Sequence, residues 1–345
     1  MKKRGRGLAC IYFGMGNTAK PNPSSAHVEV LEDGSCLVRC GAADLGQGSD
    51  TALVQIAAMT LGVKPEVVFI ESADTLTTPE AGVSSASRQT YVSGNAVRIA
   101  TEKLKEIMLQ EAEEELEANR EDLVIVDGLV YVQGAPGAGI PIEQICRKLR
   151  SRGVLTAASG FFNPRTPEML DQETGAGIPY GAYSYATQMV EVDVDTETGE
   201  LDVVRVVAAH DVGRAVNPMA VEGQIEGGVV MGLGYGTMEE LIYKEGQLMT
   251  SGFGTYLLPT SLDTPAIMPI IVEEPEPTGP FGAKGTGEPP ACPTAAALLN
   301  AIYDAVGVNI TSLPVTAEKI YEGLRALAQG PDAVAEERVR EKMEP

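Results

Sequence analysis

Eleven residues, Pro280 to Pro290, read PFGAKGTGEPP and set one carboxylate, Glu288, among three glycines and three prolines. Glycines admit positive φ and close backbone approach, while prolines stiffen the run and keep it out of a helix or a central strand. The segment that follows, CPTAAALLNAIYDAVG, has the apolar spacing of a buried helix, with Pro293 placed as a first-turn proline. Glu288 is thus presented on a shaped loop just ahead of a helix. Walled by apolar neighbours, such a carboxylate takes a raised pKa and serves as a base near neutral pH. In open solvent it is an ordinary loop glutamate.

Three further stretches carry polar chemistry. In ADLGQGSD, Gly46 and Gly48 flank Gln47 ahead of a helix expected from about Asp50 to Leu61. The glycines leave the backbone open to another group, Gln47 offers a donor and an acceptor, and the helix N-terminus favours an anion. From Thr75 to Gly94 the chain is crowded with Ser, Thr and Gly, a composition that cradles a phosphate or polar heterocycle, or equally caps the helix that follows. In GQIEGG, Gln224 repeats the glycine-flanked glutamine. Two histidines, His27 and His210, lie too far apart to suggest a metal site and read as structural, as do the thiols of Cys36 and Cys40, which share one face of a strand-like run.

The elements that must position these groups follow from periodicity. AHVEVLEDGSCLVRCGA, DLVIVDGLVYVQG, YATQMVEVDVDTETGELDVVRVVAAHDVG and ELIYKEGQLMT read as hairpins, the second turning at Asp127-Gly128. Residues 7–26, rich in glycine and proline, read as loop. An amphipathic helix is expected from about Gly94 to Asn119, with Val97, Ala100, Leu104, Met108, Ala112 and Leu116 inward and the EAEEELE face solvated. A final helix is expected to be capped by Thr316. Hairpin, Asp-containing loop, glycine-flanked glutamine and helix occur twice, around Gln47 and Gln224. The expected division is a first lobe at 1–152, a connection at 153–181, a second lobe at 182–330 and a charged tail at 331–345.

Composition narrows the class. A chain of 345 residues with 44% hydrophobic residues supports a sizeable core. A net charge of −22 and the absence of tryptophan argue against nucleic acid or an anionic membrane as partner. No apolar run reaches the ~18 residues of a membrane span, and the opening MKKRGRGLAC lacks a secretory pattern, so a cytoplasmic protein is expected. No serine-hydrolase elbow or nicotinamide fingerprint occurs.

PFGAKGTGEPP resembles the Gly-Glu-Pro-Pro loop of the molybdenum hydroxylases, the xanthine dehydrogenase and aldehyde oxidase family, in which the loop glutamate is the active-site base beside molybdenum. The similarity runs from about residue 7 to 325, and the G-Q-G turn, the serine-rich loop, HDVGRAVNP and GQIEGG look like the family's cofactor segments. The resemblance implies an α+β fold of two related lobes of hairpins, mixed sheet and helices, the family's second molybdopterin-binding domain. It places Gly46, Gln47 and Gly48 at the pterin, Ser87, Arg88, Gln89 and Thr90 on pterin and phosphate, and Lys284 and Gly285 beside the cofactor. Gln224 would lie by the metal's oxo ligand, and Phe13, Gly14 and the small Ala86 would border the substrate. The implied reaction is hydroxylation of an sp² carbon with water as oxygen source and Glu288 as base, with no direct protein ligand to molybdenum.

The matched region is the C-terminal half of the family's molybdenum-binding part. The resemblance therefore implies a separate subunit, similar to the medium molybdopterin subunit of a nicotinate dehydrogenase or a split purine hydroxylase. Its expected partners are a large molybdopterin subunit completing the site, an iron–sulfur subunit with 2Fe-2S clusters and a flavin subunit with FAD. The expected cofactor is molybdopterin cytosine dinucleotide with molybdenum, and the expected substrate an N-heterocycle. An aldehyde or carbon monoxide is the alternative within the family, and a non-catalytic cofactor carrier or scaffold the alternative outside it. Intact Glu288, Gln47 and Gln224 weigh against a carrier, which has no need of a base.

Overall fold

The computed structural model describes residues 1–18, 20–165 and 170–329; the charged tail expected at 331–345 lies outside them. β1 (Lys2–Gly14) opens the chain. β2 (Ser24–Val30) and β3 (Cys36–Cys40) form a hairpin, α1 (Ser49–Leu61) leads to β4 (Val68–Ser72), and α2 (Gly94–Leu116) follows. A small sheet of β5 (Leu123–Val126), β6 (Leu129–Val132) and β7 (Ile140–Pro141), then α3 (Ile142–Ser151), precede β8 (Ala157–Phe162). The second half runs β9 (Tyr183–Asp195), β10 (Leu201–Asp211), α4 (Pro218–Thr237), the short pair β11 (Tyr243–Lys244) and β12 (Gln247–Leu248), β13 (Ala266–Val272), α5 (Thr294–Val306) and α6 (Ala317–Gln329). Among the described residues no helix is long and apolar enough to cross a membrane.

Two four-stranded sheets, ordered β4-β3-β2-β8 and β13-β10-β9-β1, have the same strand order and directions, although the outer antiparallel strand follows the others in the chain in the first (β8) and precedes them in the second (β1). In each, an antiparallel hairpin lies in the middle (β2 with β3, β9 with β10), a parallel strand flanks its second member (β4, β13), and an antiparallel strand flanks its first (β8, β1). α1 and α4 are the crossovers that parallel pairing requires. α2 packs on β2 and β8 as α5 packs on β1 and β9. The internal repeat visible in the sequence is therefore a repeat of whole sheets and their helices. Each has its own core: Val28, Val30, Val38, Leu53, Val97, Leu104 and Met108 in the first, Val190, Val192, Val206, Ile225, Leu298 and Ile302 in the second. Val97, Ala100, Leu104, Met108 and Ala112 are buried as their helical spacing requires. Cys36 and Cys40 lie inside the first core, where burial pushes the Cys36 thiol up to about 12, so it stays protonated.

Sheet membership departs from the expected boundaries. Residues 2–14, expected with the first lobe and read in part as loop, pair along their whole length with β9. Residues 157–162, expected in the connection, pair with β2. Glycines explain why neither strand was legible. A Cβ at Gly5 would lie 2.2 Å from the Ala301 carbonyl oxygen and one at Gly7 2.1 Å from that of Ala297, so these glycines let α5 lie directly on β1. Gly160 does the same for β8, with a Cβ 2.1 Å from the Ala96 carbonyl. The EAEEELE face is also not wholly solvated: Glu111 is buried, held by Lys148 at 3.3 Å and Arg152 at 3.0 Å.

Candidate cofactor and active site

The loops after β3, β4, β10 and β13 leave the C-terminal ends of the two parallel strand pairs and converge on one cleft of about 430 Å³. Its wall includes Gln47, Gly48, Ser87, Arg88, Gln89, Thr90, Gln224, Lys284, Gly285 and Glu288. Gly46 lies beside this wall. Phe13, Gly14 and Ala86 instead line a second cleft of about 980 Å³, walled by Tyr12, Tyr180 and Tyr183. Glu288 stands where the two clefts meet: its Oε1 accepts a hydrogen bond from the Ala86 amide at 2.7 Å.

Each half of the repeat turns into its loop through an Asp-x-Gly. Asp44 accepts from the amides of Gly46 at 2.8 Å, Gly48 at 3.3 Å and Asp50 at 3.1 Å. Burial pushes the Asp44 carboxyl up, but these backbone bonds outweigh it and hold the pKa below the usual carboxylate range. Asp211 likewise accepts from Gly213 at 2.9 Å. Asp44 was not among the expected site residues; the Asp-x-Gly shared by the two halves is the signal that marks it. Gly46 and Gly48, at φ +107° and +78°, have no atom within 4 Å of where a Cβ would stand, so their backbone is open on that side. Behind the turn, Gln47 donates to Gln89 Oε1 at 2.6 Å, while Gln89 donates to the Ala43 carbonyl at 2.9 Å.

Gln224 occupies the second turn of α4 and not a pre-helix turn, because α4 already starts at Pro218, capped by Asn217 accepting from the Ala220 amide at 3.0 Å. Among the described residues its amide has no protein partner. It faces Gly287, whose Cβ would lie 3.5 Å from its Oε1.

Ala86 and Ser87 both hold φ +52°, a left-handed strain that non-glycine residues tolerate only where neighbours impose it. The Glu288 loop is that neighbour: Glu288 N donates to Ser87 Oγ at 3.3 Å, and a Cβ at Gly285 would sit 1.8 Å from the Ser87 carbonyl oxygen. Only glycine fits at 285. No apolar wall closes around Glu288 within this chain: the residue is exposed. Two residues expected at the cofactor spend their charge on protein. Both guanidinium Nη atoms of Arg88 donate to backbone carbonyls, and Lys284 Nζ lies 2.6 Å from Asp211 Oδ2 in a buried pair.

Beneath Pro290, Gln188 donates to its carbonyl at 2.7 Å and accepts from Thr294 Oγ1 at 2.7 Å, with the His210 ring at 3.2 Å. His210 is 1% exposed and burial lowers its pKa to about 4. A group whose folded pKa lies below its unfolded value destabilises the fold as pH drops through that interval, because the unfolded chain binds the extra proton. Stability should therefore fall between the ordinary histidine value and about 4, by up to ~1.4 kcal/mol per pH unit. Urea midpoints at pH 7 and pH 5 should move apart in the native protein and less so in His210→Gln. Equal movement in both would dismiss the histidine as the cause.

Fold and cleft define a molybdopterin-binding scaffold, and the model of the molybdopterin cofactor-binding domain matches residues 1–265. The chain belongs to this family, among the molybdenum hydroxylases. It is 33% identical over 325 residues to the xanthine dehydrogenase molybdenum-binding subunit of Escherichia coli O157:H7, covering 93% of this chain and 42% of that one. It is 34% identical over 330 residues to an aldehyde oxidoreductase of Megalodesulfovibrio gigas, covering 94% and 33%. Quinoline 2-oxidoreductase from Pseudomonas putida 86 superposes with a TM-score of 0.82 at 31% identity, over 94% of this chain and 42% of that one. The chain thus spans well under half the length of these relatives.

Proposed function

We propose that this chain is the base-bearing molybdopterin subunit of a multi-subunit molybdenum hydroxylase acting on a planar N-heterocycle, nicotinate- or purine-like. The observation that carries the reading is the position of Glu288 at the junction of a polar cleft and an aromatic one, fixed by the Ala86 amide. The residues present fit the cofactor: the open backbone at Gly46 and Gly48, the amide of Gln224 and the Ser84–Thr90 loop supply donors, and no neighbouring side chain fills the space beside the two glycines. When bound, the cofactor supplies two-electron oxidation.

The chain's own residues bind and move a proton. Glu288 Oε1 is fixed by the Ala86 amide, which leaves Oε2 to accept a proton from the attacking oxygen, water being its source. Phe13 and Tyr183 offer flat faces to a heterocyclic ring. The cytosine dinucleotide form of the cofactor, 2Fe-2S and FAD on separate chains and a cytoplasmic setting complete the proposal.

A partner chain is supported by the outer face of the sheet that carries β1. Leu8, Tyr12, Tyr185, Met268 and Ile270 are all exposed there, Tyr12 opposite Tyr185 in register and Leu8 opposite Met189. A contiguous apolar face of this kind marks an interface, and the large molybdopterin subunit is its proposed occupant, supplying the length that this chain lacks relative to its relatives. The same subunit would wall the exposed side of Glu288. Tagged protein purified from its host should carry molybdenum together with a second large chain and with iron and flavin. A chain that comes from its host alone and without metal would overturn the reading in favour of a scaffold.

A further inference from the structure

The segment from Lys284 to Pro290 is gripped at both ends by the sheet beneath it. At the leading end Lys284 Nζ pairs with Asp211 Oδ2 at 2.6 Å; both side chains are below 10% exposed, and the ammonium lies 5.9 Å from the Tyr185 ring centroid. The other Asp211 oxygen accepts from Gly213. Gly213 bridges to Ala283, Lys284 N donates to the Val212 carbonyl at 2.9 Å, and Arg214 N donates to Gly282 O at 2.9 Å. At the trailing end Gln188, on β9, holds the Pro290 carbonyl. Only the five residues Gly285 to Pro289 lie between an anchor from β10 and one from β9, and glycines at 285 and 287 leave the stretch up to Glu288 without stiffness of its own.

The geometry points to Lys284 and Asp211 as positioning residues: the buried pair latches the loop that aims Glu288 and is not a cofactor contact. A lysine meant for a phosphate or pterin presents its ammonium to the cleft, whereas this one is consumed by a carboxylate behind the loop. The direction of Glu288 then depends on a charge pair in the second repeat, and its hydrogen bond to Ala86 in the first repeat closes the arrangement across the cleft.

The inference rests on Glu288 being the base, so the test separates the two. In the assembled complex, Lys284→Met and Asp211→Asn should each lower kcat by about 10²-fold, the scale of a misplacement of about 1 Å, with KM and bound pterin and molybdenum unchanged. Amides 285–288 should exchange hydrogen faster in the same variants. The double variant Asp211→Asn/Lys284→Gln, which removes both charges and keeps a hydrogen-bonding pair, should fold and recover most of kcat and of the protection. Loss of pterin in step with activity, with exchange at 285–288 unaltered, would make Lys284 a cofactor ligand and overturn the latch. So would a double variant no better than the singles. Hydrogen exchange reads the latch without reference to turnover, so a normally active Glu288→Gln enzyme would remove the base and leave the latch decided by its own measurement.

Discussion

Glu288→Gln in the assembled enzyme should lower turnover by about 10²–10⁴-fold, the range for removal of a positioned general base, while pterin, molybdenum and fold are retained. The retention follows from the contacts. Glu288 Oε1 accepts from the Ala86 amide and its backbone N donates to Ser87 Oγ. A glutamine keeps its own oxygen for Ala86 and leaves the backbone bond untouched, so the loop stays in place and only the proton acceptor is lost. Glu288→Asp is the informative companion. It keeps the base but withdraws the carboxylate by one methylene from both Ala86 and the cleft, and should recover part of the rate. Steady-state kinetics with metal and pterin content on the same preparations decides the matter. Normal turnover in Glu288→Gln would end the mechanism, and loss of cofactor alongside activity would make the residue structural.

The residues that could be read from sequence are those whose local chemistry is self-contained. The Glu288 loop was legible as a shaped, non-helical turn ahead of a helix because glycine and proline crowd it, while the base role came from the resemblance; α2 was legible because its inward positions recur at helical spacing. β1 was not, since Gly5 and Gly7 look like loop until α5 is seen lying on them 298 and fewer residues away in sequence. β13 was hidden by Pro269, tolerable there because β13 is an edge strand whose missing N–H faces no partner. The site itself divides in the same way. Residue types at Gln47, Gln224 and the serine-rich loop announced a polar cleft, but the fate of Lys284 and Arg88 depended on Asp211 and on distant carbonyls, which no local pattern discloses.

Arg88 shows what such a partner does to an expectation. Its Nη1 donates to Ala81 O at 2.6 Å and Val83 O at 3.1 Å, and its Nη2 to Asn22 O at 2.9 Å and Pro23 O at 2.7 Å. The residue is 2% exposed, and burial pulls its pKa below the usual arginine value, with only weaker support from Glu80. Backbone carbonyls, not an acid, hold the charge. The fork thereby ties residues 81–83 to 22–23, directly beside the strained Ala86-Ser87 turn on which Glu288 rests. Arg88→Met removes all four bonds and leaves the carbonyls to find other donors. At roughly 1.5–3 kcal/mol for a bond to a charged group, and with neighbouring bonds far from additive, the loss should be about 4 kcal/mol. Arg88→Lys restores the charge but not the planar fork and should recover less than half. Denaturant midpoints of the isolated chain measure this without any cofactor present. If Arg88→Met is as stable as the native chain and only cofactor retention suffers, the arginine contacts the cofactor after all. If stability falls as expected, the turn beside Arg88 loses its frame, and the Ala86 amide that holds Glu288 from the neighbouring loop is displaced with it.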